Sequence, residues 1–147
     1  MPEVVIEEAR SAETDAFFTE QWRPHDARVG VVWDGSEHRL AARVQSDLVG
    51  AAYFSVAGGV GELKQILVRE DHGGAGIGSR LLAAFESRCR ELGCHKLRLE
   101  TAEYQARGFY ERHGYSALHT FDDDRFYRCW YLMEKRLVVE GGSHGSD

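Results

Sequence analysis

Four glycines crowd into six residues at Gly73-Gly74-Ala75-Gly76-Ile77-Gly78, directly ahead of Ser79-Arg80-Leu81-Leu82. Glycine loses more backbone entropy on folding than any other residue, so a glycine run is a costly way to start a helix. Its use is close approach: without side chains in the way, the backbone N–H groups at a helix start can face a ligand. Those amides and the helix dipole favour an anion, phosphate above all. A flexible, loosely capped loop is the alternative. The dinucleotide fingerprint G-x-G-x-x-G fails, because counting from Gly74 and Gly76 the third position is Ser79. The P-loop fails too, since Gly78 is followed by Ser79-Arg80 with no lysine. The chemistry indicated is phosphate binding outside the two common nucleotide frames.

Other residues could act on a substrate. The carboxylates Glu100, Glu103 and Asp122 to Asp124 could draw in a cationic amine, with a solvated acidic turn as the alternative. His119, Tyr104, Trp33 and Trp130 could line an acceptor pocket, with core packing as the competing role for the tryptophans. Seven histidines show no H-x-x-x-H spacing, and Cys94-His95 has no second ligand pair at a zinc spacing, so no metal is expected. Cys89, Cys94 and Cys129 form no disulfide framework, and Cys89 and Cys129 read as small buried hydrophobes. The net charge of −6 argues against nucleic acid, which needs clustered Lys and Arg. No apolar run reaches the ~18 residues of a membrane span. The acidic start lacks a signal-peptide pattern, so a cytoplasmic location is expected.

These residues need elements to hold them. Glu3 to Ala9 reads as a first strand, and Ser11 as the cap of a helix to about Trp22 with Ala12, Ala16, Phe17 and Trp22 on its buried side. Arg23-Pro24 should end it. Residues 27–36 carry no clear pattern. His38 to Gln45, Leu48 to Val56 and Gly61 to Val68 form an antiparallel meander joined by short Ser, Asp and Gly turns. Ile77, Leu81, Leu82, Phe85, Cys89 and Leu92 then share one helical face, ended by Gly93. A strand at His95 to Thr101 and a helix over about Gln105 to Arg112, stopped by Gly114, come next. Strands at about Tyr115 to Phe121 and Arg125 to Leu137 finish the domain. The fold class is α/β or α+β: a single domain over residues 1–138 with a mixed, mostly antiparallel sheet flanked by helices. Residues 139–147 are expected to be a disordered tail.

Gln65-Ile66-Leu67-Val68, the turn Gly73 to Gly78 and Ser79-Arg80-Leu81-Leu82 resemble the acyl-CoA binding motif of the GNAT superfamily of N-acetyltransferases. A second segment, Ala106-Arg107-Gly108-Phe109-Tyr110-Glu111-Arg112-His113-Gly114-Tyr115, is similar to that superfamily's A-x-x-F-Y-x-x-x-G-F, with tyrosine at the last aromatic place. The resemblance covers roughly residues 45 to 137 and is nearest to a bacterial uncharacterised subgroup. Two departures stand out: Gly73 replaces an Arg or Gln, and Glu103 replaces an asparagine.

The resemblance implies an N-acetyltransferase that moves an acetyl group from acetyl-CoA to a primary amine, of a small molecule or peptide, by direct attack in a ternary complex. A catalytically silent acyl-CoA sensor on the same fold is the alternative. The resemblance places Tyr110 beside the sulfur as general acid, with a core aromatic next to Phe109 as the alternative, and Glu62 as base, acting directly or through water, with a solvated edge carboxylate as the alternative. It assigns cofactor binding to Leu67, Val68, Gly73, Gly74, Ala75, Gly76, Ile77, Gly78, Ser79, Arg80, Gln105, Ala106 and Phe109. The backbone N–H near Val68 becomes the oxyanion donor, and Gln105 substitutes for the missing asparagine. Arg112 is set at a terminal phosphate, with a plain helix-surface arginine as the alternative. Members of the superfamily commonly form homodimers, and no membrane partner is implied.

Overall fold

In the computed structural model, residues 2–102, 105–125 and 128–138 are described. The chain divides into two compact units, Met1–Trp33 and Asp34–Asp147. In the first, helix α1 spans Ser11–Arg28, with Pro24 inside it. The sequence places the helix end at Pro24. The proline removes one i→i−4 hydrogen bond, but the ladder resumes beyond it and closes where Val29 and Val31 N–H donate to Asp26 O. Ser11 is the first helical residue rather than the cap; the cap position is Arg10, with no side-chain bond. No residue of α1 is buried, so the expected inner face of Ala12, Ala16, Phe17 and Trp22 is not found. The strand expected at Glu3 to Ala9 is also absent: residues 2–10 pair with no other segment, and a strand exists only with a partner.

The second unit holds a six-stranded sheet in the order β1-β2-β3-β4-β6-β5. Its strands are β1 Ser36–Val44, β2 Asp47–Ala57, β3 Val60–Val68, β4 Lys96–Ala102, β5 Ser116–Asp124 and β6 Arg128–Arg136. All pairings are antiparallel except β3 with β4. Helix α2, Ile77–Glu91, supplies that parallel crossover, and α3, Arg107–Arg112, joins β4 to β5. The sheet is therefore the mixed, mostly antiparallel one expected from the sequence.

The helical period sets the core. Leu81, Leu82, Phe85 and Cys89 all face inward from α2 and pack on Phe54, Leu63, Leu97, Leu99 and Met133 of the strands. Burying a large aliphatic or aromatic side chain contributes about 1.5–3 kcal/mol, so this one face anchors α2. Gly61 is required by proximity, since any Cβ there would run into the Cys89 Sγ. Cys89 and Cys94 are buried as small hydrophobes, whereas Cys129 is only half-buried and donates to Asp122 Oδ1 at 3.5 Å.

Candidate active site

The site originates in a mismatch between two pairings of β3. Against β4 its register runs only from Val60↔Lys96 to Leu63↔Leu99, while against β2 it continues to Gly50↔Val68. At Lys64 one extra residue enters β3, because Tyr53 faces Gln65 but Phe54 faces Leu63. Such a bulge bends a strand and increases its twist. Beyond Leu63 and Leu99 the two central strands are unpaired with each other, so the sheet forks.

A cleft of about 850 Å³ occupies the fork. Leu63 to Val68 of β3 line one wall, and Leu99, Glu100 and Thr101 of β4 the other. Gln105, Ala106, Phe109 and Tyr110 close it from the α3 side, with Gly78 and Glu70 at the end nearest α2.

The fork leaves backbone groups free on β3. Arg69 N–H donates to Val49 O at 2.8 Å, which fixes the phase of the β2–β3 ladder. Successive residues of a strand direct their N–H and C=O to opposite edges. Leu67 therefore belongs to β2, and the N–H groups of Ile66 and Val68 point away from it, toward the cleft.

The glycine-rich loop delivers a helix start to the same place. Gly74 and Gly76 adopt φ of +81° and +77°, the left-handed region where an L side chain is strained. Gly76 is the cap of α2, with no side-chain bond to the helix. The first intrahelical bond is Arg80 N–H to Gly76 O, so the N–H groups of Ile77, Gly78 and Ser79 have no acceptor within the helix. A Cβ built on Gly78 would stand 3.7 Å from the Phe109 ring and 3.8 Å from Val68, so helix start, β3 and α3 converge there. Gly73, Gly74, Ala75 and Gly76 are exposed beside those amides, and Arg80 is exposed on the first turn.

Tyr110 is 6% exposed, and its hydroxyl has no hydrogen-bond partner among the described residues. Burial pushes its pKa up from 10.0 to about 12, so the phenol keeps its proton through the neutral range. Its ring stands edge-on to Phe109 and to Tyr115. Tyr115 in turn donates to the buried Glu86 of α2 at 2.8 Å, and Lys135 of β6 donates both to Glu86 at 3.0 Å and to His113 O at 2.9 Å. That network ties the end of α3 to α2, and nothing in the sequence pattern points to it.

Several sequence-based expectations land elsewhere. Glu62 does not line the cleft: it sits one residue before the fork, opposite Arg98, and forms a half-exposed ion pair with Lys64 at 3.5 Å. Gln105 lines the cleft, but its Oε1 accepts from Ala102 N–H at 2.9 Å and from the Thr101 hydroxyl, so its carbonyl is committed to the end of β4. Arg112 is exposed, with its guanidinium over Gly108 rather than in the cleft. Glu103, Tyr104 and the tail from residue 139 lie outside the described residues. Glu100, one of the carboxylates expected from the sequence to draw in an amine, lines the cleft, and so does Glu70, which the sequence pattern does not mark. No described helix is long and apolar enough to cross a membrane.

The chain is similar to known proteins in sequence and in fold. The model of the Acetyltransferase (GNAT) family matches residues 6–115. The uncharacterized N-acetyltransferase YjcF of Bacillus subtilis (strain 168) is 29% identical over 113 residues, 77% of this chain and 79% of that protein. Blasticidin-S acetyltransferase of Streptomyces morookaense is 56% identical over 43 residues, which is 29% of this chain and only 32% of that protein. A crystal structure of an acetyltransferase from Bacillus cereus ATCC 14579 superposes with a TM-score of 0.77 at 22% identity, covering 91% of this chain and 98% of that one.

Proposed function

The chain belongs to the GNAT acetyltransferase family, and from that premise we propose that it transfers an acetyl group from acetyl-CoA to a primary amine by direct attack in a ternary complex. The observation that carries this reading is the fork itself, where unpaired strand amides, a glycine-opened helix start and a protonated tyrosine share one cleft. The relative named as an N-acetyltransferase over 77% of the chain supports an amine acceptor.

The residues divide the work. The free amides from Gly74 to Ser79 receive the pyrophosphate, with the positive end of the α2 dipole behind them and Arg80 beside them. The cleft-facing amides of Ile66 and Val68 pair with the pantetheine arm in a strand-like manner, and Val68 N–H donates to the carbonyl oxygen as charge develops on it. Ala106 and Phe109 pack against the arm. The amine nitrogen forms its bond to the acetyl carbon as the carbon–sulfur bond breaks. Tyr110 gives its proton to the leaving thiolate, which the same apolar surroundings make a stronger base than it is in water. The proton lost by the amine passes through water to Glu62, which stands one residue outside the fork.

Thermal unfolding with increasing acetyl-CoA, CoA, ATP or NAD tests the reading. A ligand held only by the folded state at a hundred times its Kd adds about 2.7 kcal/mol. Stabilisation by acetyl-CoA and CoA, followed by CoA release on an amine panel, is expected. A larger shift with ATP or NAD would remove the acyltransferase reading, and binding without turnover on any amine would favour a silent acyl-CoA module.

A further inference from the structure

Within the second unit the fork joins the two faces of the sheet, and the face away from α2 carries a second recognition element. Along β4, Leu97, Leu99 and Thr101 are buried on the side of α2, so Glu100 projects from the opposite side. Tyr110 packs in the same cluster as Leu81, Leu82 and Phe85, on the α2 side. Both Tyr110 and Glu100 nevertheless line one cleft. The cleft therefore passes through the sheet at the fork, with the helix start and Tyr110 at one mouth and Glu100 at the other.

The Glu100 carboxylate is held in place there. Its Oε1 accepts from Trp130 Nε1 at 2.6 Å, from the neighbouring strand β6. Among the described residues Glu100 makes no ion pair, in contrast to Glu62, which has Lys64. Directly opposite partners share a face, so Phe121, facing Trp130, and His119, facing Leu132, extend the Glu100 side of the sheet. The His119 and Phe121 rings meet edge-on at 4.6 Å. Glu70, the other carboxylate of the cleft, lies in the turn Glu70–His72 ahead of the glycine loop, at the opposite end.

We propose that Glu100 determines the acceptor: its indole-anchored carboxylate takes the ammonium of a protonated amine, which releases one proton to solvent before it attacks, and whose apolar or aromatic body lies along Trp130 and Phe121. The site selects cationic amines over neutral and anionic molecules of the same shape, because an unpaired carboxylate gains from a cation and an aromatic face adds to that attraction. The proposal rests on the acetyltransfer reading and adds to it the charge and body of the substrate.

The test is a binding measurement. Wild-type protein saturated with CoA is titrated calorimetrically with phenethylamine and with its neutral isostere 2-phenylethanol, then with hexylamine and hexanol. Each amine is expected to bind at least tenfold tighter than its alcohol. Glu100→Gln should bring the amines to the level of the alcohols, with CoA affinity and melting temperature unchanged. Trp130→Phe, which keeps a ring but removes the N–H donor, should reduce the preference partially. Equal binding of amine and alcohol, no amine binding at all, or a preference that survives Glu100→Gln would each overturn the proposal. Failure to bind CoA would instead count against the acetyltransfer reading, and the amine preference would still be read on the free protein.

Discussion

At the scale of single residues, the proposed acid is the most sharply testable element. Tyr110→Phe removes one oxygen from a hydroxyl that has no hydrogen-bond partner among the described residues, so little stability should be lost with it. We expect kcat to fall at least about tenfold, within the range of general-acid effects, while the KM for acetyl-CoA stays within about twofold. Steady-state kinetics on any accepted amine reads both numbers. Because burial raises the Tyr110 pKa to about 12, the wild-type rate should show no descending limb from loss of this acid below about pH 11. The residue pattern alone marks the glycines and Tyr110, since both lie in contiguous motifs. It cannot mark the facing of Glu62 or the anchoring of Glu100. The first depends on a bulge, and the second on an indole thirty positions away in sequence.

At the scale of elements, the regular pieces of the second unit are legible because their burial is periodic. The α2 face from Ile77 to Cys89 and the three-strand meander follow from sequence within a few residues. What the pattern hides is where pairing stops: the fork arises from one inserted residue at Lys64, which no alternation reveals. Equally hidden is the tie between α3 and α2 through Glu86, Tyr115 and Lys135. Tyr115→Phe leaves Glu86 with its Lys135 partner and should cost about 1–3 kcal/mol, the range for leaving a buried group short of a hydrogen bond. Lys135→Met removes the counter-charge from a carboxylate that is 7% exposed, and should cost more than Tyr115→Phe. Urea unfolding monitored by circular dichroism gives both values. The reverse order would mean that the Tyr115 hydroxyl, and not the Lys135 ion pair, carries the tie between α3 and α2. The loop has its own prediction: Gly76→Ala places a Cβ in open space but at φ +77°. Its effect must then come from backbone strain, about 1–2 kcal/mol, with a matching loss of CoA affinity measured by calorimetry.

At the scale of the whole molecule, titration links the core to the solution. Burial raises the pKa of Cys89 from 9.0 to about 12 and that of Tyr110 from 10.0 to about 12, and moves Cys94 and Tyr115 in the same direction. A group with a raised folded pKa contributes its full stability while both states keep the proton. It loses that contribution once the unfolded chain ionises and the folded chain does not. The window therefore opens near pH 9, where unfolded cysteine ionises, widens near pH 10 with the tyrosines, and narrows near pH 12 as folded Cys89 and Tyr110 titrate. Each group steepens the fall in stability by up to about 1.4 kcal/mol per pH unit. The melting temperature should stay level from pH 7 to 8.5 and then fall with increasing slope to pH 11. Tyr110→Phe should flatten the part above pH 10 and leave the part between 9 and 10 unchanged, because that part belongs to the cysteines. If the variant changes the lower part instead, or if melting is level to pH 11, then the tyrosine and the thiols are not held protonated by the packed core as the structure places them.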